Sequence, residues 1–453
     1  MSEPLEKKRA LPSWRVIGLI LVLTGVVLLA GLVSMSYVVE RQLSGEIIKV
    51  AQSGEPLTFS ALAAGPKPAG TVDDAADSYR RALSGITTAD LEKLVRTNAS
   101  YRMNISTAGT GEFPAELREE LASVLVGFQT ALESLDRGAE IDLFDPVISV
   151  EEGIEVCGGS LRSARVAAIL LSTRTLKLIV DGQDDAAVDS VISMLRMVRI
   201  FDHHPVIIVH TAKVGVIDLA CGDIYLLLKV ARPSGRSLAR LQEVLSETMP
   251  ANALEKMFLT ERVYQTEMAR NLLPEDIVSQ YLQPDVPDLP ERLRLPRSLW
   301  RRTWIRTRIR QMAVRYFRDM TRLVAAVRRP WPGPLDVMAG SLPEPAKGRL
   351  ITSGAAFIRL TSETLVAVRC AVLAIAVERY RRSNGELPRS LDDVSGTYID
   401  SIPVDPFTGE KLLYGRDEEG YVVYSVGHNC QDDAGSVRPR AGEKNPQDLG
   451  IRL

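Results

Sequence analysis

The feature that most constrains this chain is a run without charged side chains near its start, residues 16–39, bracketed by Arg15 and Glu40. A helix rises about 1.5 Å per residue, so a helix over this run would span roughly 36 Å. The hydrocarbon core of a bilayer is only ~30 Å thick. The run therefore predicts one transmembrane helix over 16–39.

A cleavable signal peptide is the alternative interpretation of this run. The apolar region of a signal peptide usually has about 7–15 residues and ends in a small-x-small cleavage sequence. The run in this chain is longer, and it ends in Ser34-Met35-Ser36-Tyr37, which is a poor cleavage sequence. We therefore expect an uncleaved anchor.

The charges that flank the run predict its orientation. The residues before it include four basic ones, Lys7, Lys8, Arg9 and Arg15. The residues after it carry mixed charges, Glu40, Arg41, Glu46 and Lys49. Because short basic flanks stay in the cytoplasm, we expect a cytoplasmic tail over 1–15 and export of everything beyond the anchor. The predicted location is the cell (inner) membrane, single-pass, with periplasmic C-terminal domains.

Residues 40–330 predict an extracytoplasmic helical domain. Apolar residues recur there at three- and four-residue spacing, and breakers such as Pro205 and Pro250 separate the segments. The predicted helices cover residues 74–96, 114–137, 160–180, 186–201, 206–230, 237–248 and 252–273. Since strand-like alternation is nearly absent, the predicted fold class is mainly α, with an all-α bundle or irregular solenoid.

A further helix, predicted over 298–329, combines an apolar stripe with many arginines. Its candidate interface residues are Trp300, Arg301, Arg302, Trp304, Arg306 and Arg308. In one interpretation the helix is packed, and its arginines are solvated or paired with acidic neighbours. In the other, it binds anionic lipid headgroups or an acidic partner, because basic amphipathic helices with tryptophan suit a membrane interface.

A proline-rich segment over 331–349 predicts a linker, and the pattern changes after it to that of an α+β module over 350–440. The expected parts of this module are a helix that ends at Asn384-Gly385, strands over 411–414 and 421–426, a hairpin loop over 416–420 and a turn over 405–409. Residues 441–453 are expected to form a flexible tail.

Three segments of this module carry a resemblance to a known family: YRRSNGELP at 380–388, IPVDPFTG at 402–409 and YVVYSVG at 421–427. In order and spacing they resemble the periplasmic domain of the major pseudopilins of type II secretion systems. The resemblance covers about 90 residues and implies a long helix followed by a small antiparallel sheet. The whole chain also looks similar to large membrane proteins of planctomycete-like bacteria that carry such a tail.

In that family the final loop binds calcium, and the comparable stretch here contains Asn429, Asp432 and Asp433. Calcium prefers six to eight oxygen ligands, so clustered carboxylates, an amide and carbonyls are suitable chemistry. A solvated acidic turn is the alternative.

The family's peptidase site and anchor glutamate are absent from the run over 16–39, so we do not expect this chain to polymerise as a pseudopilin does.

Motifs for other chemistry are missing from the sequence. It contains no HExxH, GxSxG, P-loop, Rossmann glycine pattern or CxxC, and its four cysteines are far apart.

His203 and His210 could share a helix face and bind a metal with Asp202, although such residues more often cap a helix or fill a polar groove. The net charge of −2 argues against a nucleic-acid partner.

These observations favour a non-enzymatic protein: a membrane-anchored binding or scaffold protein of the bacterial envelope, associated with a type II secretion or pilus-like system. No cofactor is expected apart from calcium in the C-terminal loop, and the expected partners are the membrane and envelope proteins. The alternative is an envelope hydrolase with its active site in the helical domain.

Overall fold

The computed structural model describes residues 14–62, 78–79, 82, 86–108, 113–141, 154–202, 205–271, 299–337, 349–418, 420–437 and 448–453. The chain forms two compact units, one of residues 1–58 and 265–318 and the other of residues 59–264 and 319–453. The fold is mainly helical with one small sheet, as the sequence predicts.

Eleven helices of more than one or two turns are numbered here in chain order, within the described ranges. They are α1 Trp14–Gln52, α2 Thr88–Ala108, α3 Ala115–Leu125, α4 Gln129–Glu140, α5 Ile154–Val180, α6 Asp184–Met197, α7 Ile207–Val230, α8 Gly235–Glu247, α9 Ala253–Asn271, α10 Leu299–Val327 and α11 Arg349–Asn384. A single helical turn covers Phe59–Leu62. Short 3-10 turns cover Val126–Phe128, Val198–Phe201, Gly333–Val337, Leu391–Asp393 and Gly427–Asn429.

The core of the second unit is built around α7, whose apolar residues occur on all sides of the helix. A helix that is apolar all round is stable only when it is buried, and α7 packs against α5, α6 and α11. Helix α8 packs in turn against α6 and α11. The long helix of the predicted C-terminal module therefore packs directly on helices of the predicted helical domain, and these helices, α7 and α8, belong to the same compact unit as α11.

The prediction of one continuous helix over 74–96 is wrong: Ser78, Tyr79 and Ala82 are helical, but residues 86 and 87 are not. Helix α2 starts only at Thr88, and the backbone N–H of Thr87 donates to Asp90 Oδ2 at 2.9 Å while that of Asp90 donates to Thr87 Oγ1 at 3.2 Å. This reciprocal capping box fixes a helix start. The helix then continues to Ala108, beyond the predicted end at residue 96.

Helix α11 ends where the sequence predicts. Gly385 has φ +79°, and its N–H donates to the carbonyl of Arg381 at 2.8 Å. This is the single hydrogen bond of a left-handed helix end. The predicted turn over 405–409 also forms, because the N–H of Gly409 donates to the carbonyl of Asp405 at 2.8 Å.

An antiparallel sheet in the order β1-β2-β3 follows α11. Its strands are β1 Leu413–Asp417, β2 Gly420–Ser425 and β3 Leu449–Arg452. Central strand β2 is almost wholly buried, with β3 on one side and β1 on the other, and α11 packs against β2 and β3.

Two predictions about this region are corrected. The loop expected over 416–420 is shorter, because Arg416 pairs with Tyr421 and Asp417 with Gly420. The tail expected to be flexible over 441–453 ends in β3, where Ile451 pairs with Val423. Pairing to a strand already fixed on α11 orders these last residues, which have no strand pattern of their own.

Candidate functional site

Helix α1 contains the predicted anchor and continues past it to Gln52. Among the residues that the structure describes, two helices are long and apolar enough to cross a membrane, over Leu21–Gln52 and Gly354–Asn384. The apolar window of the first is 11 % buried, whereas that of the second, in α11, is 72 % buried. Exposed side chains such as Leu19 and Val27 leave the apolar surface of α1 uncovered, while α11 is a core helix.

In the first compact unit, the end of α1 is joined to α10 by ion pairs. Arg310 pairs with Glu40, and Arg318 Nε lies 3.0 Å from Glu46 Oε1. Burial alone would raise the pKa of Glu46, but the hydrogen bond and charge of Arg318 outweigh it and hold this pKa below its usual value. The acidic partners of these arginines therefore come from the segment just after the apolar run.

The order of these pairs gives the relative direction of the two helices. Both pairs advance toward higher residue numbers on both helices, so α1 and α10 run in the same direction within this unit. The residues of α10 that precede Arg310 therefore lie beside the last turns of the apolar run.

Of the predicted interface residues, Trp304 and Arg308 have described side chains. Trp304 is 51 % exposed, Arg308 is exposed, and the Arg308 guanidinium lies 5.7 Å from the centroid of the Trp304 ring. The side chains of Trp300, Arg301, Arg302 and Arg306 lie outside what the structure describes. The backbone of all six belongs to the first turns of α10.

The predicted calcium ligands are near one another in the turn after β2. Asn429 Nδ2 donates to Asp433 Oδ2 at 2.8 Å, and Asp432 Oδ1 accepts from the Tyr424 hydroxyl at 3.0 Å and from the N–H of Ala434 at 2.9 Å. The carboxylates of Asp432 and Asp433 thus accept hydrogen bonds from the chain's own donors. Calcium ligation stays a prediction.

Asp448, which the sequence analysis did not identify, also holds this turn, through hydrogen bonds from the backbone of the turn. Its carboxylate accepts from the N–H of Asp433 at 3.3 Å and from that of Ser436 at 2.9 Å. Burial, aided by the charge of Asp433, raises the pKa of Asp448. The turn is also tied to α11, because His428 Nε2 lies 2.6 Å from Glu363 Oε1.

The histidine pattern does not produce a described metal site. His210 is buried, and its Nε2 lies 3.0 Å from the Thr361 hydroxyl. Burial, with a smaller effect of Lys213, lowers the pKa of His210 to about 4. His203 lies outside the described residues, as does His204, and among those described no group of three acidic, histidine or cysteine side chains could hold a metal ion.

A buried polar cluster that the sequence did not reveal joins α2, α5 and α7. Arg102 pairs with Asp223, Ser172 Oγ donates to Asp223 Oδ1 at 3.1 Å, and Asn98 Nδ2 donates to Ser172 Oγ at 2.9 Å. Burial raises the pKa of Asp223 to about 6, against the opposing charge of Arg102. The carboxylate of Asp223 is fully buried, which closes it to a substrate.

A polar cleft of about 390 Å³ lies on the second unit, where α4, α5, α6 and α8 meet. Its lining includes three arginines and three acidic residues, Arg174, Arg196, Arg240, Asp136, Glu140 and Asp189. Sequence reasoning missed this cleft because its residues come from four separate helices, each of which has the polar face expected of any surface helix.

Comparison of the chain with protein-family models, with curated proteins and with solved structures finds no match.

Proposed function

We propose that this chain is a single-pass, membrane-anchored binding or scaffold protein whose main body lies on the extracytoplasmic side of a bacterial inner membrane. The observation that carries the proposal is the uncovered apolar surface of α1, whose apolar window is only 11 % buried. Such a surface is costly in water and is stable inside a bilayer. The basic residues before the run, and the mixed charges after it, support a cytoplasmic N-terminus.

The first turns of α10 are proposed to contact anionic lipid headgroups. They lie beside the end of the apolar run, because Arg310 and Arg318 pair with the segment of α1 that follows it. Tryptophan and arginine are favoured at this depth, since the ring tolerates the interface and the guanidinium reaches the phosphates. The exposed, stacked pair of Trp304 and Arg308 supports this proposal.

A binding role is favoured over hydrolysis by the state of the acidic groups. Asp223, whose pKa is raised, is buried away from solvent. In the polar cleft, Asp136 is held by both terminal nitrogens of Arg174, at 2.6 and 2.7 Å. Both oxygens of this carboxylate are thus already engaged by a cation and do not face a substrate unpaired. An association of residues 350–440 with a secretion or pilus-like apparatus is part of the proposal and rests on the sequence resemblance.

Cys430 gives a direct test of the topology. It is exposed, whereas Cys221 and Cys370 are buried, so a Cys157→Ser variant offers one accessible thiol among the described residues. We expect a membrane-impermeant maleimide to label this variant in spheroplasts, and a Cys430→Ser derivative to remain unlabelled. Labelling of Cys430 only after the membrane is lysed would overturn the proposed orientation, and release of the protein by alkaline carbonate would overturn the anchor.

The lipid contact is tested separately, with full-length protein in nanodiscs and Trp304 as the only tryptophan. We expect brominated phosphatidylglycerol to quench Trp304 more strongly than brominated phosphatidylcholine at equal content. Replacing Arg301, Arg302, Arg306 and Arg308 by Gln should abolish this difference. Four exposed arginines elsewhere serve as the matched control when changed to Gln: Arg118, Arg137, Arg236 and Arg389. Equal quenching by both lipids in the unaltered protein would refute the contact.

A further inference from the structure

The polar cleft has a fixed floor. Asp136 accepts two hydrogen bonds from Arg174, and the Ser193 hydroxyl donates to Asp136 Oδ1 at 2.9 Å. Arg174 Nε donates to Ser190 Oγ at 3.0 Å, and that hydroxyl donates to the carbonyl of Leu171. The floor is therefore electrically balanced and held by α4, α5 and α6, so it provides a preorganised surface rather than free charges.

The two ends of the cleft carry charged side chains that a ligand can bind. At one end Asp189 forms an ion pair with Arg240 at 3.0 Å, with side chains 55 % and 49 % exposed. Exposed pairs of this kind contribute little stability, so a ligand can compete for either partner. At the other end, the guanidinium of Arg196 forms no hydrogen bond or ion pair among the described residues, and Glu140 is exposed at the rim.

The distance between these ends is set by α6. Asp189 and Arg196 line the same cleft from one helix, and a rise of 1.5 Å per residue separates their Cα atoms by about 10 Å along its axis. An extended peptide advances ~3.3–3.6 Å per residue. Three extended residues therefore match the spacing of these two positions along α6.

We propose that this cleft binds a short peptide with free termini, about three residues long. Asp189 binds the terminal ammonium group, and Arg196 binds the terminal carboxylate, for which a planar guanidinium is the best side chain. None of the described residues that line the cleft is aromatic, which argues against sugar rings or nucleobases that stack. The proposal goes beyond membrane anchoring and stands independently of it, because the cleft lies wholly within the second unit.

Calorimetric titration of the full-length protein in nanodiscs tests the proposal, with trialanine as the probe. We expect saturable binding with Kd below about 1 mM, and at least a tenfold loss of affinity when the peptide is N-acetylated or carries a C-terminal amide. Free alanine, which cannot reach both ends, should bind at least tenfold more weakly than trialanine.

Variants connect the binding to the two ends of the cleft. Arg196→Gln and Asp189→Asn should each weaken trialanine binding at least tenfold, while Arg196→Lys should retain part of it. Arg236→Gln, at an exposed position of α8 outside the cleft lining, should bind as the unaltered protein does. Unchanged circular dichroism will verify folding. Absence of binding at 10 mM trialanine, equal binding of blocked peptides, or unaltered binding by Arg196→Gln would each overturn the proposal.

Discussion

The guanidinium of Arg102 lies directly against the backbone of Gly222, so closely that a Cβ at this position would overlap Nη2. The missing side chain lets Arg102 of α2 cross α7 and pair with the buried Asp223. Within α7, Gly215 has open space around the position of its Cβ. The two glycines of one helix thus have different roles.

Replacing each of these glycines by alanine should change stability in opposite directions. Gly222→Ala forces the Nη2 end of the Arg102 guanidinium to move and so weakens its ion pair with the buried Asp223, which should cost about 1–3 kcal/mol. Gly215→Ala, the matched control, should stabilise the protein by about 0.5–1 kcal/mol, because alanine favours the helix. Thermal or urea unfolding of the full-length protein in detergent measures both. Equal effects of the two substitutions would contradict the close approach of Arg102.

The junction between α11 and the sheet supports a second prediction. The Tyr421 hydroxyl donates to Glu378 Oε1 at 3.1 Å, and both side chains are buried. Tyr421→Phe leaves this oxygen without its donor, which should cost about 1–3 kcal/mol in the free energy of unfolding. Tyr225→Phe is the control, because the partly exposed Tyr225 makes no hydrogen bond through its hydroxyl among the described residues; it should change stability by less than about 0.5 kcal/mol. A smaller effect at Tyr421 than at Tyr225 would refute this account.

The helices could be predicted because the start, the end and the apolar face of a helix depend on residues that lie close together in the sequence. The end of α11 at Asn384 follows from the next glycine alone, and the bounds of α7 follow from flanking breakers. The start of α2 was missed although Thr87 and Asp90 form a recognisable capping box. In that case the capping residues that mark the helix start were present in the sequence, but the apolar periodicity extends across them and led to an earlier predicted start.

Features that depend on distant segments could not be predicted. Strand β3 consists of four residues and is ordered by pairing with β2 and by packing against α11. The ion pair of Arg310 with Glu40 joins positions far apart in the chain, so the sequence suggested an arginine-rich surface without its partners. The charged ends of the cleft are similarly dispersed, and a polar residue such as Arg196 resembles any solvent-facing side chain until its neighbours are known.

The buried histidine makes a third prediction, concerning acid stability. The pKa of His210 is lowered to about 4 by burial in the folded protein, whereas it is about 6.5 in an unfolded chain. As pH falls from 6.5 to 4, the unfolded state therefore binds a proton that the folded state does not. The neutral imidazole contributes stability above pH 6.5, and this contribution, on the order of 3 kcal/mol, is lost toward pH 4.

The variant His210→Gln cannot titrate at this position, so the difference between its pH profile and that of the unaltered protein isolates the histidine. Unfolding free energies from pH 7.5 to pH 4 should converge or cross as the pH falls, because only the unaltered protein loses this contribution. Asp223 titrates in both proteins and cancels in the difference. Parallel profiles over the whole range would show that His210 has an ordinary pKa.

The turn after β2 supports the last prediction, that calcium binds weakly at Asn429, Asp432 and Asp433. Protein donors occupy Asp432 Oδ1 and Asp433 Oδ2, but Asp433 Oδ1 accepts no hydrogen bond among the described residues. With Kd near 1 mM, as in weak extracellular sites, 10 mM calcium should stabilise the full-length protein by about 1.4 kcal/mol relative to a chelator. Asp433→Asn should remove this gain, and Asp400→Asn, exposed and outside the turn, should retain it. An unfolding midpoint that calcium leaves unchanged would identify the turn as a solvated acidic loop.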